Sequence, residues 1–328
     1  MTLKIRKVLA YRSGKEVIMR EVKKIVIAGS GTMGCSMGAI LAQAGYEVTL
    51  YDIVEEALER AKKVIALNWE TEVAAGKISQ ADSEALQAGL KYTTDKQAFA
   101  DADFVVEAIL EKIEVKHSFW EEVSRIVGDD VVICSNTSGL SITRIAEVIN
   151  KPERFAGMHW INPPHLIPLV EIIKGEKTTQ EAADVVKEVA LRANRKPVIV
   201  GDAPGFVLNR IQLAILRESL HIVEEGIAPP EAVDDVMKYG LGIRYACLGP
   251  FQVCDLGGLD IFYNIASYLF ADLCDKKEPF GMLADRFEKG QYGVKTKAGF
   301  YDYSDGKDEE TIRYRDTMFN KLSDLLFK

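Results

Sequence analysis

Long apolar runs are missing from this chain. No stretch of its 328 residues approaches the roughly eighteen consecutive apolar positions of a membrane-crossing helix, so none is expected. An excess of basic charge is missing too. Forty-one Lys and Arg face 49 Asp and Glu, a net charge of −8, which is the wrong sign for sequence-independent nucleic-acid binding. Histidine is scarce: His117, His159, His165 and His221 are all there is, so few side chains qualify as a general base near neutral pH. The five cysteines, at 35, 134, 247, 254 and 274, form no C-x-x-C pair and no Cys/His cluster at metal spacing, so no metal centre is expected. They read either as reduced thiols of a cytoplasmic protein or simply as small buried hydrophobes. Residues 1–21 form an N-terminal extension. Its first twenty residues, MTLKIRKVLAYRSGKEVIMR, are basic but lack the continuous apolar stretch of a secretory signal. Their alternation around Ser13-Gly14 suggests a β-hairpin; a flexible leader with Met19 near the start of the first domain is the other reading. No repeat or low-complexity tract occurs.

What is present describes a globular chain of about two domains, with 48% hydrophobic and 27% charged residues. KIVIAG (24–29) is a short β-branched run ending at glycine, followed by helix formers from Thr32 to Ala44. Strands are then expected at 47–52, 104–109, 131–135, 154–161, 169–173 and 197–200. Helices are expected at 54–75, 80–89, 112–127 and 180–193. Such alternation implies an α/β fold, a Rossmann-type mostly parallel sheet with helices on both faces. Beyond Gly201–Gly205 the pattern turns helical, at 206–225, 230–239, 255–273 and 279–288. The expected division is therefore a dinucleotide-binding domain over 22–203 and an all-α C-terminal domain over 204–328.

Gly29-Ser30-Gly31-Thr32-Met33-Gly34 is G-x-G-x-x-G lying between a buried strand and a helix, the context that gives this otherwise common pattern its meaning. Gly29 permits a tight turn, Gly31 lets the backbone approach a pyrophosphate, and Gly34 allows close helix–sheet packing. The amides opening the helix, at Thr32, Met33 and Gly34, face the phosphates. Asp52 ends the second strand of this unit, eighteen residues past Gly34, where a carboxylate can accept bonds from the ribose hydroxyls. The nearest arginine downstream is Arg60, two helical turns on, so a 2′-phosphate would meet an unpaired anion. NAD is expected over NADP.

Ligands of open α/β sheets bind beyond the carboxyl ends of the strands. Ser135-Asn136-Thr137-Ser138 leaves a strand there, bringing hydroxyls and an amide near the nicotinamide end; the alternative is a loop that merely caps the next helix, as Ser141 also can. His159 closes the following strand, and Glu171 sits twelve residues later inside the apolar run LVEII. A turn at Asn162–Pro164 brings the two together, and an orienting carboxylate then holds the ring's tautomer and raises its basicity. The competing reading is a core histidine beside an edge-strand glutamate.

These residues carry a family resemblance. Over about residues 22–303 the chain resembles the L-3-hydroxyacyl-CoA dehydrogenase family. The motifs are Gly29–Gly34, VEAILE (106–111), Ser135–Ser138, His159 with Asn162-Pro163, Leu169-Val170-Glu171 and PGFVLNR (204–210). Gly249-Pro250, Asp255-Leu256, Gly258-Leu259-Asp260 and GFYD (299–302) follow in the helical half. The resemblance implies an NAD-dependent oxidoreductase of fatty acid metabolism acting on 3-hydroxybutyryl-CoA or similar thioesters, without metal, as a homodimer joined through its helical half. It implies His159 as the base, Glu171 as its partner, and Ser138 and Asn209 as donors to the reacting oxygen. Ala108, Glu111, Lys116 and Asn136 fall near the nicotinamide and its ribose, and Glu107 at the strand end.

The chain departs from the thioester enzymes at one place. After the base it reads HWINPPHLIP (159–168), where those enzymes more usually show two phenylalanines and Pro-x-Pro. Pro164, Pro168 and GIRYA (242–246) are closer to relatives acting on free acids, such as gulonate and carnitine dehydrogenases. Arg244, expected in a loop, then has two readings: a fork for a substrate's terminal carboxylate, or a residue that caps a helix ending near Gly240 or pairs with Asp234 or Asp235. Lys62, Lys63 and Lys77 read as a solvated helix face or as a site for coenzyme A phosphates. A cofactor-binding protein without turnover is the alternative of a different class.

Overall fold

The computed structural model describes residues 7–12, 15–74 and 76–327. Strands β1 (Lys7–Arg12) and β2 (Lys15–Arg20) pair antiparallel from Arg12↔Lys15 outward. The Ser13-Gly14 turn expected between them lies outside the described residues.

The chain divides into two compact units, up to Asn209 and from Arg210 on. The first unit runs β3 (Lys24–Ala28), α1 (Thr32–Gln43), β4 (Glu47–Tyr51), α2 (Glu55–Ala74), α3 (Gln80–Gly89), β5 (Lys91–Thr93) and β6 (Phe104–Glu107). It continues with α4 (Ile113–Ile126), β7 (Val132–Ser135), α5 (Ile142–Ile145), β8 (Phe155–Trp160), β9 (Leu169–Lys174), α6 (Gln180–Arg192) and β10 (Lys196–Gly201). Eight strands form one sheet in the order β10-β9-β8-β7-β6-β3-β4-β5. All neighbours are parallel except β8 and β9. Strand order reverses between β3 and β6, the switch point at which open α/β sheets bind ligands.

Between its edge strands β10 and β5 the sheet is buried on both faces, so its inner strands read as apolar runs. Ile25 and Ile27 of β3 join a core with residues of α1, α2 and α6, while Val26 and Ala28 join a second core with residues of α4 and α5. The same two-residue period runs through β6, β7, β8 and β9. Phe104, Val106, Cys134, Met158 and Ile172 face the first core; Val105, Ile133, Phe155 and Ile173 face the second. In phase with that second set stand Glu107, Ser135, His159 and Glu171, so four polar side chains share one face at one end of the sheet.

The helical unit comprises α7 (Leu208–Glu224, its first two residues in the first unit), α8 (Pro230–Val236), a π-helical turn (Met237–Gly242), α9 (Ile243–Cys247), α10 (Pro250–Gly257), α11 (Leu259–Leu269), α12 (Gly281–Glu288) and α13 (Lys307–Phe327). The structure corrects the sequence reading at several points. No loop separates residues 242–246 from what precedes them: α8 continues through the π turn into α9. The single helix expected at 255–273 is two, broken at Gly258, whose φ of +94° no helix accommodates. Edge strand β5 and helix α13 were not anticipated; the first is three residues long, and the second buries none of its side chains.

Candidate active site

The glycine loop is shaped by contacts that a Cβ would break. Gly29 has φ +97°, and a Cβ there would sit 2.5 Å from the Ala108 carbonyl oxygen after β6; a Cβ on Gly34 would overlap the Gly29 carbonyl oxygen. Gly31 differs, for its Cβ would point into open space. Its glycine is required by no neighbour in the chain, as expected if backbone there is kept bare for a ligand. Helix α1 starts at Gly31 with no side-chain cap and no acidic residue in its first turn, leaving the amides of Thr32, Met33 and Gly34 to bind an anion. Asp52 follows β4. Its Oδ2 accepts from the Ser30 amide and hydroxyl, both at 2.8 Å, and Oδ1 from the Val54 amide at 3.1 Å. Bare glycine, free amides and a carboxylate at the adjoining strand end fit a dinucleotide. Cys35, behind this loop, donates to the Ser30 carbonyl, and burial pushes its thiol up to about 11.

The next two strand ends carry a connected polar network. Glu107, fully buried, accepts from Lys116 Nζ (2.5 Å) and the Ile109 amide (2.9 Å) on one oxygen, and from Ser135 Oγ (2.8 Å) and Trp120 Nε1 (3.3 Å) on the other. Lys116 also reaches Glu111 at 3.2 Å. Glu111 accepts in turn from Thr137 Oγ1 (2.5 Å) and the Ser138 amide (2.9 Å). Partial burial works to raise the Glu111 carboxyl, but these donors and the Lys116 charge hold it below its usual range. Asn136 accepts from the Trp160 amide at 2.8 Å and so ties its loop to β8.

His159 and Glu171 are direct partners across the antiparallel β8–β9 pair. His159 Nδ1 lies 2.9 Å from Glu171 Oε2, with both side chains at 5% exposure or less. Glu171 Oε1 accepts from the amides of Val207 (3.1 Å) and Leu208 (2.9 Å). Burial opposes its charge, yet the hydrogen bonds from His159 and the two amides keep the carboxyl below its usual range. With Nδ1 committed as donor to Glu171, His159 Nε2 is left as the acceptor. Asn209 Nδ2 donates to the Ser138 carbonyl at 2.7 Å, which brings the two residues expected to hold a reacting oxygen side by side.

The remaining candidates stand on other elements. Arg244 is exposed within α9, and Asp234 and Asp235 are engaged by Tyr301 and Lys238 instead. Lys62 and Lys63 are exposed on α2, whereas Lys77 precedes α3 in a turn and is not on a helix. Only Cys35 and Cys134 are buried; Cys247 is exposed, Cys254 and Cys274 half-buried, so the picture of five buried hydrophobes fails for three. Among the described residues no group of three or more His, Cys, Asp or Glu is placed to hold a metal ion, and no helix is long and apolar enough to cross a membrane. The sequence reading missed the density of bonds on Glu107. Its signal was a carboxylate ending the apolar run FVVE.

A glycine loop and an uncapped helix start at the switch point, with a buried His–Glu pair on a neighbouring strand end, define an NAD-dependent oxidoreductase acting on a CH–OH group. Residues 24–203 match the NAD-binding domain of 3-hydroxyacyl-CoA dehydrogenase, and residues 205–303 match its C-terminal domain. The chain belongs to the 3-hydroxyacyl-CoA dehydrogenase family. It is 37% identical over 281 residues to a probable 3-hydroxybutyryl-CoA dehydrogenase of Deinococcus radiodurans, covering 85% of this chain and 100% of that one. It is 35% identical over 285 residues to the 5-formyl-3-hydroxy-2-methylpyridine 4-carboxylate 5-dehydrogenase of Mesorhizobium japonicum, covering 86% and 91%. Among solved structures, that of an NAD⁺-dependent dismutase with this same pyridine carboxylate activity superposes with a TM-score of 0.85 at 33% identity, covering 93% of this chain and 99% of the other. An (S)-3-hydroxybutyryl-CoA dehydrogenase from Ralstonia eutropha gives 0.74 at 32% identity, covering 87% and 100%.

Proposed function

We propose that this enzyme oxidises the 3-hydroxyl of an L-3-hydroxyacyl-CoA of the 3-hydroxybutyryl type to the 3-oxo thioester. The observation that carries the reading is the buried His159–Glu171 pair with Nε2 left as acceptor. NAD, when bound, supplies the hydride acceptor. His159 Nε2 takes the hydroxyl proton, and Glu171 holds the ring's tautomer and stabilises the imidazolium that forms. Ser138 Oγ and the Asn209 side chain bond the reacting oxygen and favour its developing charge. Gly29, Gly31 and the amides of Thr32, Met33 and Gly34 take the pyrophosphate, and Asp52 the adenosine ribose. Ala108, Glu111, Lys116 and Asn136 line the nicotinamide end. Cytoplasmic residence and a part in fatty acid metabolism belong to the same proposal.

A second reading is favoured by the TM-score of 0.85 to an enzyme whose named substrate is a free carboxylate. In it the substrate is a free 3-hydroxy acid, with Arg244 meeting the terminal carboxylate. Measuring NADH oxidation with acetoacetyl-CoA against a panel of free 3-oxo acids separates the two. Tight NADH binding with no turnover of either class instead supports a non-catalytic binding protein. The helical unit supports a homodimer. Among its described residues Leu220 and Phe280 are the only large hydrophobics buried, while Phe251, Leu256, Phe270 and Leu325 are each at least 73% exposed. Sedimentation equilibrium should return twice the chain mass, and a monomer refutes the pairing.

A further inference from the structure

Glu107 takes no part in the steps above, yet it sits at the centre of the site's polar network. We infer that Glu107 is a positioning residue: through Lys116 and Glu111 it holds the Ser135–Ser138 loop in place for cofactor and substrate. The inference rests on the proposed reading of the NAD site.

Glu107 ends β6 between Ala28 of β3 and Ser135 of β7, directly at the switch point. Its side chain is fully buried, where a carboxylate persists only if its charge and lone pairs are answered. Four donors answer them: Lys116 Nζ, the Ile109 amide, Ser135 Oγ and Trp120 Nε1. One carboxylate thereby clamps the chain after β6, the end of β7 and helix α4. Lys116, itself 1% exposed, is shared with Glu111 at 3.2 Å. The second oxygen of Glu111 takes Thr137 Oγ1 and the Ser138 amide. A pair that served only core stability would end once its charges were matched. This one runs unbroken from the middle of the sheet to the backbone of Ser138. Lys116 divides its attraction between two carboxylates. Without the charge of Glu107 the ammonium has Glu111 alone, and draws it away from Thr137 and Ser138.

The substitution E107Q keeps the volume, but its amide turns two N–H groups toward donors. In this chain it should weaken NADH binding, read by fluorescence titration, and lower kcat, each by about tenfold to a hundredfold, the scale of a misplaced site. W120F, which removes a donor from the same carboxylate but nothing from the path to Ser138, should lower Tm while leaving NADH affinity and kcat within about twofold. Because both glutamates act along one path, E107Q/E111Q should lose little more than the worse single variant. E107Q that melts early but binds NADH and turns over like wild type overturns the inference, as do losses that multiply in the double variant. Should E107Q fail to fold, E107D carries the test: its charge is kept on an arm too short for Lys116, so NADH affinity should fall about tenfold, and wild-type affinity overturns the proposal. A wild-type chain that binds no NADH refutes the cofactor reading and this inference with it. Wild-type binding with E107Q unaffected refutes this inference alone.

Discussion

Replacing Glu171 by Gln tests the proposed chemistry at its narrowest point. The new side chain has two orientations, and the structure ranks them. If its carbonyl oxygen keeps the Val207 and Leu208 amides, now at 3.1 and 2.9 Å, its NH₂ faces His159 Nδ1. If it flips, both backbone amides lose their acceptor in a site 2% exposed, at about 1–3 kcal/mol apiece. The first orientation therefore wins. It forces Nδ1 to accept and puts the ring proton on Nε2, the atom that should take the hydroxyl proton. Loss of a correctly held general base is worth ~10²–10⁴ in rate, so kcat should fall by that factor. NADH affinity should change by less than about twofold, since no bond to the glycine loop is touched. Stopped-flow hydride transfer together with NADH titration reads both quantities. His159→Ala should match the loss in kcat. If either variant keeps turnover within about threefold of wild type, the pair is structural and the proposed mechanism fails.

Steady-state kinetics with both cofactors should favour NAD over NADP by at least about tenfold, and Asp52→Ala should narrow the gap; equal efficiencies in the wild type defeat the assignment of Asp52. Gly31→Ala should melt with the wild type but lose NADH affinity, because its Cβ meets nothing in the chain. Gly34→Ala should lose stability first, its Cβ overlapping the Gly29 carbonyl; the opposite order refutes the account of the loop. Acid should destabilise through Glu171, Glu111 and Asp202, whose carboxyls lie below their ordinary values of 4.5, 4.5 and 3.8 in the folded chain. Burial opposes each shift and hydrogen bonds outweigh it, joined at Glu111 by the charge of Lys116. The unfolded chain takes up those protons first as pH falls. The stability they contribute is complete above about pH 5 and drains away through the lower folded values, so the difference in Tm between wild type and Glu171→Gln should close below pH 4.5. A gap that stays constant there counts against the buried charge. Arg244→Met should raise KM for a free 3-hydroxy acid by ~10–100-fold, the 1.5–3 kcal/mol of a charged hydrogen bond. It should spare acyl-CoA turnover, and an unchanged KM for the acid removes Arg244 from the site.

Periodicity and glycine placement were enough to read most of the first unit, though not its three-residue edge strand β5. KIVIAG followed by a glycine-rich helix start, and Asp52 at the next strand end, are local patterns whose meaning follows from backbone geometry. The sheet's two buried faces explain why its strands were visible as apolar runs. They also explain why the polar interruptions of those runs at Ser135, His159 and Glu171 pointed to the candidate site, while Glu107 read only as a strand end. The helical unit was less legible. Helix α13, beyond the last helix expected, buries no side chain, and its acidic first turn, Asp308 to Glu310, is favoured by the helix dipole. The π turn at Met237–Gly242 carries two glycines that read as a break, while the helix runs through them into Arg244.

The sequence by itself determined which residue types stand at which strand ends, because a strand's two-residue period and a glycine's freedom are properties of a few neighbouring positions. Only the tertiary structure decided which of them meet. The turn at Asn162–Pro164 allowed Glu171 to meet His159, but it is the antiparallel return of β9 along β8 that sets them directly opposite, and nothing in the run LVEII states its direction. The pairing of β6 with β7 puts Ser135 on Glu107, and α4 lays Lys116 and Trp120 over the same carboxylate, contacts spanning 9 to 28 residues. Which donors answer a buried charge depends on the packing of elements distant in the chain, and is fixed only when the sheet closes over them.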